Sequence, residues 1–158
     1  VGIFSGIFDL VEEDADLATV ISHEIAHVVA RHGNQRVSQQ LLLGAGGIAL
    51  GLALDDEDHQ TRNAVLAAYG IGTTVGLSLP YSRGHELEAD KLGLIYMARA
   101  GYDPRRALAF WENMIQNQRA GILPEFLSTH PAHQSRIHQL QANMEWAVAE
   151  YDAVRPLD

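Results

Sequence analysis

At 158 residues, 47% hydrophobic and 20% charged, the chain is long enough to bury a core and has no compositional signature of disorder. Its formal net charge is −9, and its 11 Lys and Arg residues form no long run, so nucleic acid is not an expected partner. With no cysteine, disulfides and thiol chemistry are excluded, and without a G-x-S-x-G elbow a nucleophilic hydrolase mechanism is poorly supported; an extracytoplasmic address is compatible with this but not required.

The first predicted element is a helix with Asp14 as N-cap and Asp16 in its first turn. Leu17, Val20, Ile21, Ile25, Val28 and Val29 recur at helical intervals, and Gly33 offers a stop. Mid-helix stands His23-Glu24-Ile25-Ala26-His27. Residues four apart share a helix face, so both imidazoles can reach one metal ion while Glu24 acts on a water there. A metal-free core holding two imidazoles and a carboxylate in five residues carries a large desolvation cost unless a hydrogen-bonded network satisfies them. His32, near the end of this helix, reads as structural or surface.

Residues 41–54 are apolar but number only 14, and 64–79 is an uncharged run of 16 holding Gly70, Gly72 and Gly76. Both fall short of the roughly 20 residues a spanning helix needs. Linked by the acidic loop Asp55, Asp56, Glu57 and Asp58, with His59 beside it, they predict a helical hairpin. Two readings stay open for it: buried helices or a lid, and a hairpin that touches a membrane surface through residues 41–79.

A polar run from Tyr81 to Asp90 opens the next helix, which continues through Leu92, Leu94, Ile95 and Met97 to Gly101. Glu86 and Asp90 share a face: Glu86 can bind the metal while Asp90 accepts a hydrogen bond from the outer nitrogen of a ligating histidine. Glu88 points elsewhere and reads as a solvated or salt-bridged carboxylate. Asp103-Pro104 caps a further helix with Phe110 and Trp111 expected in the core, and Gly121 to Phe126 reads as a linker. The last element begins at Ser128-Thr129-His130-Pro131, with Arg136 following, and carries Ile137, Leu140, Met144 and Val148 at helical spacing. His130 stands at a helix mouth, placed for a ligand or for a cap. His85, His133 and His138 lie near these motifs without a matching role and are expected to be exposed.

H-E-I-A-H, then S-R-x-x-E-x-E-A-D, then S-T-H-P with an arginine six residues after its histidine, together cover nearly the whole chain. In that order they resemble the zinc metallopeptidase family that contains the CAAX prenyl proteases, the heat-shock protease HtpX and the BepA-like peptidases. The resemblance implies a mainly α fold, a zincin-like α+β domain over residues 1–158 with a reduced N-terminal strand element. It implies one Zn2+ ligated by His23, His27 and Glu86, with Glu24 as general base and Asp90 supporting a ligand. It also implies that His130 reaches the site, either to stabilise the oxyanion or to fill the open zinc position and silence the enzyme, while Arg136 anchors the motif on an acidic partner.

The implied activity is endopeptidase hydrolysis of unfolded or misassembled protein, in a periplasmic or membrane-associated extracytoplasmic setting. The rivals are a latent, self-plugged enzyme with a chaperone-like role and a structural zinc domain, which would have no use for Glu24. In such relatives an extended strand precedes the motif helix, and residues 1–8 resemble its tail, so the catalytic domain is expected to be truncated there. A helical-repeat partner domain outside the chain is also implied, and a prenylated substrate is disfavoured.

Overall fold

A computed structural model describes residues 2–3, 5–119, 130–131 and 133–154. The elements in chain order are a 3-10 turn (Ser5–Asp9), α1 (Asp14–Val29), α2 (His32–Ala53), α3 (His59–Thr73), a π-helical turn (Thr74–Ser78), α4 (Leu79–Arg99), α5 (Arg105–Arg119) and α6 (Gln134–Val154). The fold is mainly α, and among the described residues there is no strand. Residues 5–8, expected as part of the extended tail read over 1–8, instead belong to the turn Ser5–Asp9, closed by the Leu10 amide donating to the Ile7 carbonyl (3.0 Å). Winding buries Ile7 completely, which an extended chain alternating its side chains need not do. The linker read at Gly121 to Phe126 and the residues Ser128 and Thr129 lie outside the described residues.

The chain divides into two compact units, one of Val1–Ala30 with Glu86–Asp158 and one of Arg31–His85. In the first unit, α1, α5, α6 and α4 from Glu86 onward surround a core of Val20, Leu94, Met97, Phe110, Met114 and Leu140. Each such side chain contributes roughly 1.5–3 kcal/mol by leaving water. Helix α1 starts one residue earlier than the Asp14 cap predicts. Glu13 is the cap, and the Asp16 carboxylate accepts from the amides of Glu12 (2.9 Å) and Glu13 (3.2 Å), satisfying donors that a helix start leaves open. Arg106 donates to the same carboxylate at 2.9 and 3.1 Å, tying α5 to the start of α1.

The break after α1 also differs from the Gly33 stop. The helix ends at Val29, Arg31 takes the left-handed conformation (φ 58°), and Gly33 lies inside α2. Glycine tolerates that backbone best but is not obligatory for it.

In the second unit α2 and α3 form the predicted hairpin. Asp58 caps α3, its carboxylate accepting from the amides of Gln60 (2.9 Å) and Thr61 (3.1 Å). Tyr69 of α3 lies across Gly46 and Gly47 of α2 and donates to the Leu43 carbonyl (2.8 Å). A Cβ at Gly46 would meet the Tyr69 hydroxyl oxygen, so glycine is required for that approach. His85, expected to be exposed, and His32, read as structural or surface, are both buried here. Their rings stack at 4.1 Å, and Gln35 Oε1 accepts from Tyr81 Oη (2.8 Å) and lies 3.0 Å from His85 Nε2. Flat aromatic rings stack well in a packed helix crossing, and an imidazole can satisfy one nitrogen there without solvent.

Candidate metal centre

Helix α1 presents His23 and His27 one turn apart, with Glu24 on the flank, as the 3.6-residue period dictates. Helix α4 presents Glu86, Asp90 and Gly93 at spacings of four and three, again on one face. Gly93 decides how close the two helices come: a Cβ there would sit 3.1 Å from the His23 amide nitrogen and 3.2 Å from its Cα. With only hydrogen at that position, α4 lies against the α1 backbone, and the two carboxylates one and two turns earlier reach the imidazoles.

The resulting distances are short. His23 Nε2 lies 3.0 Å from His27 Nε2 and 3.3 Å from Glu86 Oε2, and His27 Nε2 lies 3.4 Å from Glu86 Oε1. His130 joins them, its Nδ1 3.0 Å from Glu86 Oε2 and 3.3 Å from His23 Nε2. Its Nε2 is 3.2 Å from Glu24 Oε1. One donor atom from each of His23, His27, Glu86 and His130 lies within 4.8 Å of all the others, a group that could hold a metal ion.

Behind this group is a buried polar layer. His23 Nδ1 lies 3.0 Å from Asp90 Oδ1, and Asp90 accepts two hydrogen bonds of 2.6 Å from Arg136, one from Nε and one from Nη2. Arg136 Nη1 donates to the Pro131 carbonyl at 3.3 Å and lies 3.3 Å from Glu86 Oε2. Arg136 therefore links the segment carrying His130 to Glu86 and Asp90 of α4, and its planar, two-pronged pairing with Asp90 is the geometry guanidinium favours. Trp111, expected only as core, forms the floor. Its ring lies 3.6 Å from the Arg136 Cζ and meets the His23 ring edge-on at 6.0 Å.

Burial alone would push these groups toward neutrality, and their partners decide the outcome. For Glu86 burial raises the pKa, but hydrogen bonds from His130, His23 and His27 and the Arg136 charge hold it well below the usual carboxylate range. Asp90 is likewise held low against burial, chiefly by Arg136. Burial works against a charged His23, yet Asp90 and Glu86 raise its pKa overall, whereas for His27 burial prevails and lowers it. Glu88, His133 and His138 are exposed. Two contributors were not singled out from sequence. Gly93 had a signal, its position seven residues after Glu86 on the same face, while nothing local marks Trp111 as the seat of Arg136.

The chain matches peptidase family M48 over residues 1–144. It is 36% identical over 143 residues to the mitochondrial metalloendopeptidase OMA1 of Saccharomyces cerevisiae, covering 87% of this chain and 39% of that protein. It is 36% identical over 155 residues to the protein of the same name from Arabidopsis thaliana, covering 97% of this chain and 30% of that one. With the beta-barrel assembly-enhancing protease of Escherichia coli it shares 32% identity over 143 residues, 85% of this chain and 28% of the other. The chain thus spans well under half the length of these relatives, and no solved structure matches it. With a family match over most of its length and a group that could hold a metal ion assembled from all three of its motifs, this chain belongs to peptidase family M48.

Proposed function

We propose that the chain is the catalytic domain of a zinc-dependent endopeptidase acting on unfolded or misassembled polypeptides. The observation that carries this reading is the size of the donor group. Metal–ligand bonds of about 2.0–2.1 Å in a tetrahedron give donor separations of roughly 3.3–3.4 Å, and the donors of His23, His27, Glu86 and His130 are 3.0–3.4 Å apart where they touch. Two imidazoles and a carboxylate are a donor set that suits zinc, with His23, His27 and Glu86 as its ligands. When bound, zinc supplies Lewis-acid polarisation of a scissile carbonyl and acidifies water toward neutrality.

The chain's own residues do the rest. Glu24 accepts a proton from the attacking water and returns it to the leaving amine, general acid–base work that contributes about 10²–10⁴ in rate. Asp90 accepts from His23 Nδ1, fixing the tautomer that leaves Nε2 free to ligate, and Arg136 holds Asp90 ionised in that place. In this reading His130, whose Nε2 lies 3.2 Å from Glu24 Oε1, donates to the oxyanion.

The position of His130 favours a second reading, a latent enzyme with a chaperone-like quality-control role. Its Nδ1 stands at the fourth corner of the donor group, where a water would otherwise bind, and its Nε2 lies against the general base. A closed structural zinc site is the weaker alternative, because it has no use for Glu24. The proposed partners are protein or peptide substrates, a helical-repeat domain outside these residues, and a membrane surface contacted through 41–79. The proposed setting is periplasmic or otherwise extracytoplasmic and membrane-associated.

Replacing Glu24→Gln tests the chemistry: zinc content is retained at one per chain and peptide hydrolysis falls by at least 10². Unchanged proteolysis would sink the mechanism. Replacing His130→Ala separates the two readings, since activity rises if His130 is a plug and falls if it serves the oxyanion.

A further inference from the structure

Arg136 carries its charge deep into the first unit, where it is 2% exposed. A guanidinium donates only in its own plane. The Arg136 hydrogen bonds leave through that edge: Nε and Nη2 to the two oxygens of Asp90, each at 2.6 Å, and Nη1 to the Pro131 carbonyl at 3.3 Å. The flat faces have no donor to offer. Against aliphatic carbon they would leave the charge uncompensated for the water lost on those sides. An aromatic ring compensates it, because the ring face is the negative part of its quadrupole.

Trp111 meets one of those faces. Its ring centre lies 3.6 Å from Arg136 Cζ, well inside the roughly 6 Å over which a ring attracts a cation. The indole is as buried as the arginine, so water does not weaken the attraction. The ring is itself held in place. Phe110 meets it edge-on at 6.2 Å and His23 does so at 6.0 Å, while Arg106, earlier on α5, is bonded to Asp16 of α1. Trp111 is therefore a fixed surface, and the guanidinium resting on it has its tilt set.

Tilt matters because one rigid fork works in two directions. On one side Asp90 Oδ1 lies 3.0 Å from His23 Nδ1; on the other, the bonded carbonyl belongs to Pro131, the residue after His130. Rotating the plane weakens the bonds on both sides together. We propose that Trp111 is a positioning residue of the candidate metal centre: its ring holds the Arg136 guanidinium in the plane from which it orients His23 through Asp90 and the His130 segment through Pro131. The consequence for metal affinity rests on the zinc reading above, whereas the ring contact does not. A packing role asks only for apolar volume at this position; the positioning role asks for a ring face.

Two substitutions separate these roles. Trp111→Phe keeps a ring and Trp111→Met keeps apolar volume without one, and because both remove part of the indole they share most of the packing loss. The first readout is the Arg136 Nε–H signal, measured by NMR on the metal-free chain. In the parent it is expected upfield of its ordinary position, shielded by the ring, and slow to exchange with water. Trp111→Phe is expected to retain a shielded, slowly exchanging signal and to bind zinc within about threefold of the parent in chelator competition. Trp111→Met is expected to lose the shielding and to bind zinc about 10- to 100-fold more weakly, the range for disturbing groups that orient ligands. Two variants alike in both measurements, or Trp111→Met without shielding but with parental zinc affinity, overturn the proposal. An unshielded signal in the parent overturns it without any variant, so the idea remains exposed to refutation even if neither variant folds. A parent that binds no zinc sinks the zinc reading; the proposal then stands or falls on whether Trp111→Met frees the Arg136 signal while Trp111→Phe does not.

Discussion

The two units bury opposite kinds of residue. The unit that carries the candidate metal centre takes His23, Glu86, Asp90 and Arg136 almost wholly out of water, while the hairpin unit leaves its leucines exposed and buries no residue of α3. Each arrangement is costly in isolation, since a buried charge needs a partner and an exposed apolar face needs something to cover it. In the first unit the partners lie within the unit, as the Asp90–Arg136 pair and the carboxylate–imidazole contacts. In the second the polar partners are internal, while the large apolar side chains of α2 and α3 stay exposed. Internal completeness accompanies the candidate chemistry, and incompleteness accompanies the candidate docking surface.

Breaking that completeness gives the largest expected effect. Arg136→Met removes both hydrogen bonds to Asp90 and leaves a buried carboxylate whose remaining ion-pair partner among the described residues is His23. Destabilisation of about 3–5 kcal/mol is expected, the range for orphaning one member of a buried pair. Chemical denaturation measures it; a variant as stable as the parent would show that water relieves Asp90 and that the unit is less closed than its geometry implies.

Gly93→Ala acts on geometry without removing any charge. The added methyl meets His23 backbone atoms at 3.1 and 3.2 Å, so α4 must retreat by a few tenths of an ångström and carry Glu86 and Asp90 with it. Zinc affinity, measured by chelator competition, is expected to fall about 10- to 100-fold, the range for disturbing groups that orient ligands. Affinity unchanged in a folded variant would mean that the two helices are not held at that spacing.

Asp16→Asn sharpens the comparison through pH. Burial raises the Asp16 pKa, but the Arg106 hydrogen bond, the amides of Glu12 and Glu13 and the Arg106 charge bring it below its ordinary 3.8. A depressed carboxylate contributes stability that is present above the unfolded value and lost as pH falls through the folded one. The variant is therefore expected to be about 1–2 kcal/mol less stable at neutral pH. The lower part of that range is favoured, because Arg106 is 32% exposed and screened. Parent and variant should converge as pH drops below the folded value. A constant gap down to strong acid would assign the loss to packing alone.

Much of the site's local layout was legible because helix periodicity is a property of sequence. The four-residue spacing fixes His23 and His27 on one face of α1, and Glu86 and Asp90 on one face of α4, whatever the helices later pack against. Elsewhere local rules misjudged the outcome. Gly33 was the natural stop, but the chain turned at Arg31; His85 read as exposed, but it is buried and stacked on His32. Hydrophobic periodicity marks residues 41–54 and 64–79 as helical, yet it cannot distinguish a face buried in protein from one left bare, because the same residues serve both.

The sequence by itself determined the mainly α character, the order of the motifs and the donor chemistry, since these depend on residue type and on spacings of a few positions. Only the tertiary structure decided which donors meet. His130 and Arg136 stand 107 and 113 residues from His23, and nothing in their own surroundings says that the first abuts Glu24 or that the second rests on Trp111. Those contacts follow from helix packing and from one absent methyl at Gly93, and packing is a property of the whole chain rather than of any stretch of it.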